Sequence, residues 1–443
     1  MILVELAVVL LCIVIGARVG GIGLGTVAGV GLVVLVFVFG LPPGFPPRTV
    51  LGMILCVITA AASMQAAGGL DYLVSIAERA LRARPKSITY VAPIVAYLFT
   101  FLAGTGHVIY ALLPVIGEVS RKAGIRPERP MSIAAIASQQ AITASPISAA
   151  TVAMLGLLAP LGIGLKDILM ISIPSTLIGC LLGAFAVSRV GVELADDPEY
   201  RRRLKAGEVS ETAVSAVKLE GVALTRARGS VIVFALAAVL VVVLGLVPSF
   251  RPEYTIIEKG RESVEQLELA PAIMMMMLAA AGINMLVFKA SAEKTLKTPV
   301  MASGFVALIS IAGLGWMGSS FFEGNRTAIV GGISGIVQGA PWLFAVGLFA
   351  LSVLLFSQAA TITTLIPVGV ALGLGGPHLI AMFPAVNGYF FLPTYGTLLA
   401  AISFDQTGTT KIGKYVLNHS FMLPGLVATI SGIGVGFLIA SFM

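Results

Sequence analysis

A chain of 443 residues that is 58% hydrophobic and only 11% charged, with a mean hydropathy of +1.01, is no ordinary soluble domain, where about 25% of residues carry charge. Its apolar residues come in runs of about 20 separated by short charged clusters, which predicts an all-α polytopic membrane protein, and its 50 glycines suit close helix packing and broken helices better than a barrel. The net charge of +7 fits Lys and Arg gathered in cytoplasmic loops, so nucleic acid is not an expected partner, and Cys12, Cys56 and Cys180 lie in apolar segments without a disulfide or metal pattern.

The first apolar run follows Met1 directly and has no basic start, so it reads as a retained span over about 2–16. The second span covers about 22–40 and ends at the proline-rich Leu41 to Pro47; the third covers about 49–67. Next, Leu70, Leu73, Val74, Ala77 and Leu81 share one helical face opposite Glu78, Arg79 and Arg82, which predicts an amphipathic helix in the membrane interface. Segment 88–119 is interrupted at Gly104 to His107; two helical arms of about 16 residues, at about 1.5 Å per residue, reach past the midplane and return, which predicts a re-entrant hairpin. The fourth span, 131–158, is a broken helix interrupted near Ser145-Pro146, and the fifth runs over about 168–189.

Residues 190–229, with Arg201, Arg202 and Arg203, form a polar cytoplasmic linker between a first half, 1–189, and a second, 230–443. The second half has a sixth span at 230–248, an acidic loop (Glu253 to Glu268), a seventh span at 271–288 and an eighth at about 299–320. The methionines Met274 to Met277 have no His or Cys partners and read as packing material. Ile329, Ile333, Ile336 and Val337 mark a second short amphipathic helix. A second hairpin follows at 341–375, interrupted at Ser357 to Thr361; then a broken helix at 378–402, interrupted at Pro393 to Thr397; then a tenth span at about 420–442.

Placing the N-terminus outside leaves only Arg48, Lys166, Arg251, Lys259, Arg261 and Arg326 on the outer side, with every other Lys and Arg inside, so both termini are expected to face outside. On that assignment the halves have opposite orientations, and their landmarks (Gly104 and Gln358, Ser145 and Thr394) stand about 250 residues apart. An inverted-topology repeat of this kind, with paired broken helices, implies a midplane substrate site used by alternating access.

The two hairpins and broken spans carry no Asp, Glu, Lys or Arg at 88–115, 131–159 or 341–402, which argues against cations as main cargo. An anion would be held there by half-helix N-termini, aided by hydroxyls and amides: Thr105, Thr143, Ser145, Ser357, Gln358, Thr361, Thr394 and Thr397. Each hydroxyl has a plainer role available, bonding the preceding helical turn. His107 is open to two readings, a carboxylate donor or proton carrier and a neutral packing histidine. Gln65, Gln139 and Gln140 face either the interior or a neighbouring helix. Asp71, Glu118 and Asp405 at span ends read as caps or gate contacts, and Phe404 to Lys414, lacking a preceding strand, is discounted as a phosphate loop. No nucleophile–base pair, cofactor site or metal cluster stands out.

The runs AGTGHVIYALLPVI (Ala103 to Ile116), RPERPM (Arg126 to Met131), ASPIS (Ala144 to Ser148), SQAAT (Ser357 to Thr361), FLPTYGT (Phe391 to Thr397), FDQTGTTKIGK (Phe404 to Lys414) and NHSFMLPG (Asn418 to Gly425) resemble the anaerobic C4-dicarboxylate transporter (Dcu) family over essentially the whole chain. His107 in the first tip makes the B-type branch look nearest, since the A-type has Asn there; Gly396 stands where Pro is common. The resemblance implies a bacterial inner-membrane carrier of fumarate, succinate, malate and aspartate that exchanges external fumarate for internal succinate. It also implies kinship with the ion-transporter superfamily, whose members pair hairpins and often move one domain as an elevator. By motif it carries Thr105, Gly106, His107, Ser145, Pro146, Ser357, Gln358, Thr361, Pro393 and Thr394 as site residues. The lipid bilayer is the other expected partner; a homo-oligomer, and coupling to H⁺ or Na⁺ in a symporter for the same acids, stay open. A dicarboxylate sensor that moves nothing is disfavoured, because a receptor needs no inverted repeat.

Overall fold

The computed structural model describes residues 1–443 apart from 20, 47, 210–218, 259–260, 356, 393–394 and 414–416, and apart from the side chains of 17, 107, 257–258, 261, 303, 329–339 and 354. Helices α1 (Ile2–Val19), α2 (Gly23–Val33), α3 (Arg48–Ala66) and α4 (Gly69–Ala83) lead into α5 (Ile88–Ala103) and α6 (Ile109–Lys122). Then come α7 (Glu128–Ile142), α8 (Ala149–Leu158), α9 (Leu165–Val187) and the short α10 (Pro198–Lys205). The chain continues through α11 (Gly221–Leu246), strands β1 (Glu253–Glu258) and β2 (Arg261–Gln266), α12 (Leu269–Leu286), α13 (Ala292–Leu296) and α14 (Pro299–Gly339). The last elements are α15 (Trp342–Leu355), α16 (Gln358–Ala371), α17 (Gly376–Ala381), a 3₁₀ stretch Phe383–Phe390, α18 (Gly396–Phe404) and α19 (Met422–Ala440).

Among the described residues, seven helices are long and apolar enough to cross a membrane. They correspond to the expected third, fifth, sixth, seventh, eighth and tenth spans and to α5 with the turn before it. The first and second spans are shorter apolar helices, and the fourth and ninth are each split into pieces. The amphipathic α4 buries Leu73, Val74, Ala77 and Leu81, while Arg82 reaches Glu78 at 2.9 Å and Glu118 at 3.0 Å.

Two elements differ from expectation. The acidic loop folds into an antiparallel hairpin pairing Glu253 with Gln266 through Glu258 with Arg261. The β-branched run Thr255-Ile256-Ile257, with Thr255 opposite Val264, explains it: strand pairing wins where the segment is too short and too charged for a helix. The eighth span and the following amphipathic segment form one helix, α14, of 41 residues. Pro299 opens it and no later proline interrupts it before Gly339. The side chains of Ile329, Ile333, Ile336 and Val337 lie outside the described residues.

Two groups of helices pack against each other. In one, α2 lies along α14, and α3 along α12 and α14. In the other, α9 lies along α19, α5 along α7, α8 along α16, and α15 along the 3₁₀ stretch. They meet where α8 touches α3 and α16 touches α14. Both groups draw on early and late parts of the chain.

A buried polar cluster ties the ends of this second group together. Arg126, 4% exposed, donates to Glu128 Oε2 at 2.6 Å and Asp197 Oδ2 at 2.5 Å. Glu128 Oε1 accepts from Ser420 at 2.6 Å, and Arg129 holds Glu193 and the Val190 carbonyl. Asp405 accepts from the hydroxyls of Thr407 and Thr409 and the Thr410 N–H, so it caps its own loop.

Candidate functional site

Four interruptions build the site. Gly104 ends α5 at φ 68°, in the left-handed region that favours glycine, and an added Cβ would lie 2.9 Å from the Ile147 carbonyl oxygen. The first tip therefore leans on the break between α7 and α8. Ser145 pins the same contact by donating to the Phe101 carbonyl at 2.7 Å. Ser148 caps α8, accepting from the Thr151 N–H at 3.1 Å. In the second tip Ser357 caps α16, accepting from the Ala360 N–H at 3.2 Å. The fourth interruption separates the 3₁₀ stretch from α18.

The interruptions surround one cavity of about 380 Å³ at the seam between the two helix groups. Its lining includes Gly104, Thr105 and Gly106 of the first tip, Ala149 and Ala150 at the start of α8, Ser357 to Ala359 at the start of α16, and Tyr395 with Thr397 at the start of α18. Leu24, Ile54 and Ser310 close it from α2, α3 and α14. No lining residue among those described is charged. The N-termini of α8, α16 and α18 and the turn leading into α6 thus border a neutral chamber, as do the C-terminal residues Ala103 of α5, Ile142 of α7 and Leu355 of α15.

The expected site residues divide sharply. Thr105, Gly106, Ser357, Gln358 and Thr397 line the cavity. Thr143, Ser145, Pro146 and Thr361 are buried outside the lining, and three of them bond backbone carbonyls: Thr143 to Gln140 at 2.7 Å, Ser145 to Phe101, and Thr361 to Ser357 at 2.8 Å. The His107 side chain, Pro393 and Thr394 lie outside the described residues.

Behind the lining runs an amide chain that the sequence left undecided or hid. Gln358 Nε2 donates to Gln139 Oε1 and to Asn387 Oδ1, both at 3.1 Å. Asn387 Nδ2 donates to Gln140 Oε1 at 2.9 Å, and Gln140 Nε2 reaches Thr429 Oγ1 at 3.1 Å. The adjacent glutamines of α7 point about 100° apart, so Gln139 lines the cavity while Gln140 backs it. Asn387 sits in the apolar 3₁₀ stretch, where only its polarity against Phe and Val neighbours marks it.

Thr397 has the opposite status to Ser145. Thr397 lines the cavity, but its hydroxyl is sealed behind the lining and has no hydrogen-bond partner among the described residues. Thr397→Val removes a buried polar atom without breaking a bond among the described residues, so thermal stability in detergent should hold or rise. A clear fall in melting temperature would mean that the hydroxyl is bonded in the folded protein.

A sequence profile of the family described as "Anaerobic c4-dicarboxylate membrane transporter" matches residues 1–443. The chain belongs to this family. It is 43% identical to the C4-dicarboxylate transporter DcuA of Wolinella succinogenes over 450 residues, covering all of both chains. It is 42% identical to DcuA of Escherichia coli K12 with the same coverage, and 39% to the anaerobic C4-dicarboxylate transporter DcuB of Escherichia coli O6:H1, covering 96% of this chain and 95% of that one. These identities favour the A-type relatives, so the lean toward the B-type, which rested on His107 alone, does not carry over to the whole chain. The transporter also shares its fold with MtrF of Neisseria gonorrhoeae, from a class of antimetabolite efflux pumps (TM-score 0.56, 14% identity, 92% of this chain and 84% of that one). The YdaH transporter of Alcanivorax borkumensis is similar at TM-score 0.55 and 14% identity, over 92% and 87% of the two chains. The chain is therefore a membrane transporter by family, not an enzyme.

Proposed function

We propose that the protein exchanges C4-dicarboxylates, fumarate against succinate above all, across a bacterial inner membrane, and that the neutral cavity is its substrate site. The observation carrying this reading is a chamber without charged side chains bordered by the N-termini of α8, α16 and α18 and by the turn leading into α6. Each N-terminus near an anion is worth about 0.3–2 kcal/mol, and several around one chamber suit a molecule charged at both ends. A volume of about 380 Å³ lies in the range of small-molecule sites.

Antiport follows if the empty chamber, with uncompensated helix ends, crosses the membrane slowly and the dianion permits the crossing. The seam where α8 and α16 meet α3 and α14 is the natural sliding surface for an elevator movement. The positive-inside count supports outside termini, an inverted repeat and hairpins that enter from opposite sides. Counterflow in proteoliposomes tests the exchange: labelled fumarate should enter only vesicles loaded with succinate. Equal uptake into empty vesicles under a Na⁺ or proton gradient would replace exchange with cation-coupled symport.

A further inference from the structure

We propose that Gln358, held in one amide orientation by Asn387, determines substrate specificity by accepting a hydrogen bond from a donor on the second carbon of the bound acid. The site would then favour four-carbon dicarboxylates bearing a hydroxyl or ammonium over equally bulky ones without a donor. This rests on the reading that the cavity holds the dicarboxylate.

The orientation is set at the far end of the amide chain. Asn387 Nδ2 lies 3.3 Å from the Pro384 carbonyl oxygen and 2.9 Å from Gln140 Oε1. A backbone carbonyl only accepts, so the nitrogen of Asn387 must face it, and Oδ1 must face Gln358. Gln358 therefore turns its nitrogen toward Asn387. That nitrogen spends both N–H groups, one on Asn387 Oδ1 and one on Gln139 Oε1. Only Gln358 Oε1 remains. It has no partner among the described residues, is not among the sealed unpartnered atoms, and belongs to a side chain that lines the cavity at 8% exposure.

An acceptor placed here does nothing favourable for a carboxylate oxygen, which it repels. It matches a hydroxyl or ammonium. Gln139 has the complementary polarity: its Oε1 is used, and its Nε2 lies against Gly106 at the first tip, ready to donate to a carboxylate. The two amides thus present one donor and one acceptor to the same chamber. Succinate leaves room for a water on Gln358 Oε1. A methyl at that carbon fills the space and leaves the acceptor unpaired, which is the costly case.

The test is competition against exchange of labelled succinate in proteoliposomes of the full-length protein. One enantiomer of malate should inhibit about tenfold more strongly than either enantiomer of 2-methylsuccinate, which has the same bulk and no donor. In Gln358→Met and in Asn387→Leu that ratio should collapse to within about threefold, whatever happens to succinate affinity. Asn387 is a positioning residue here, and a merely structural role for it would leave the ratio intact. Equal inhibition by malate and 2-methylsuccinate in the unmodified protein overturns the inference without need of any variant, as does a preserved ratio in Gln358→Met. Failure of the unmodified protein to exchange succinate at all would instead overturn the assignment of the cavity.

Discussion

Gly106→Val abolishes dicarboxylate exchange, lowering the rate in proteoliposomes by about a hundredfold or more, while the protein still elutes as a folded species. A Cβ at this position would lie 2.4 Å from Gln139 Nε2 and 3.0 Å from its Cδ, so the glutamine must move. Its amide is tied to Gln358, and Gln358 to Asn387, so it cannot move alone. Displacement opens the first tip from the second. Gly347, with open space around its Cβ position, is the matching control, and Gly347→Val should leave exchange near normal. Wild-type rates for Gly106→Val would mean that the first tip is remote from the substrate.

The second large effect concerns folding. Arg126→Met should destabilise the protein by about 3–5 kcal/mol, because it leaves Glu128 and Asp197 buried without their shared cation. Burial alone pushes the Asp197 carboxyl up, but the Tyr200 N–H, the Arg126 guanidinium and the Glu199 N–H outweigh it and hold it below the usual carboxylate range. A carboxyl lowered in the folded state stabilises above its unfolded pKa of about 3.9, and the contribution is lost as pH falls through the folded value. Wild-type stability should thus hold down to about pH 4 as far as this group is concerned. The variant should behave in the opposite sense. Burial of the Asp197 carboxyl without its cation favours the protonated form, so the variant's deficit should shrink as the pH falls. Thermal melting in detergent at several pH values checks both signs, and a deficit independent of pH would point to lost packing alone.

The positions of the helix interruptions were legible in the sequence because Gly, Pro and clustered hydroxyls are conspicuous in apolar runs. Which hydroxyls find a partner in the protein was not. Ser145 and Thr397 read alike, each a hydroxyl beside a break. Ser145 has the Phe101 carbonyl within reach and Thr397 has nothing, and that difference depends on backbone brought in from elsewhere in the fold. The amide chain was hidden for a similar reason. Gln139 and Gln358 stand more than two hundred positions apart, and Asn387 is a single polar residue in a stretch otherwise read as lipid-soluble. The β-hairpin escaped because it is a local alternation inside a segment defined by its acidity. The unbroken α14 escaped because a change of residue character suggested a boundary where no helix breaker stands.

The interleaving of early and late helices bears on how the chain is made. A ribosome delivers α7 and α8 well before α16, the 3₁₀ stretch and α19 exist. Until they arrive, Gln139 lacks Gln358 and Gln140 lacks both Asn387 and Thr429. In that interval a broken, polar-lined helix stands in or beside lipid, where unsatisfied groups are costly. The nascent first half is thus an incomplete structure that depends on shelter from the insertion machinery, and its residence time there grows with every delay in synthesis of the second half. Slow codons after α9 should lower yield more than the same codons after α19, a vulnerability that the finished, tightly bonded chamber conceals.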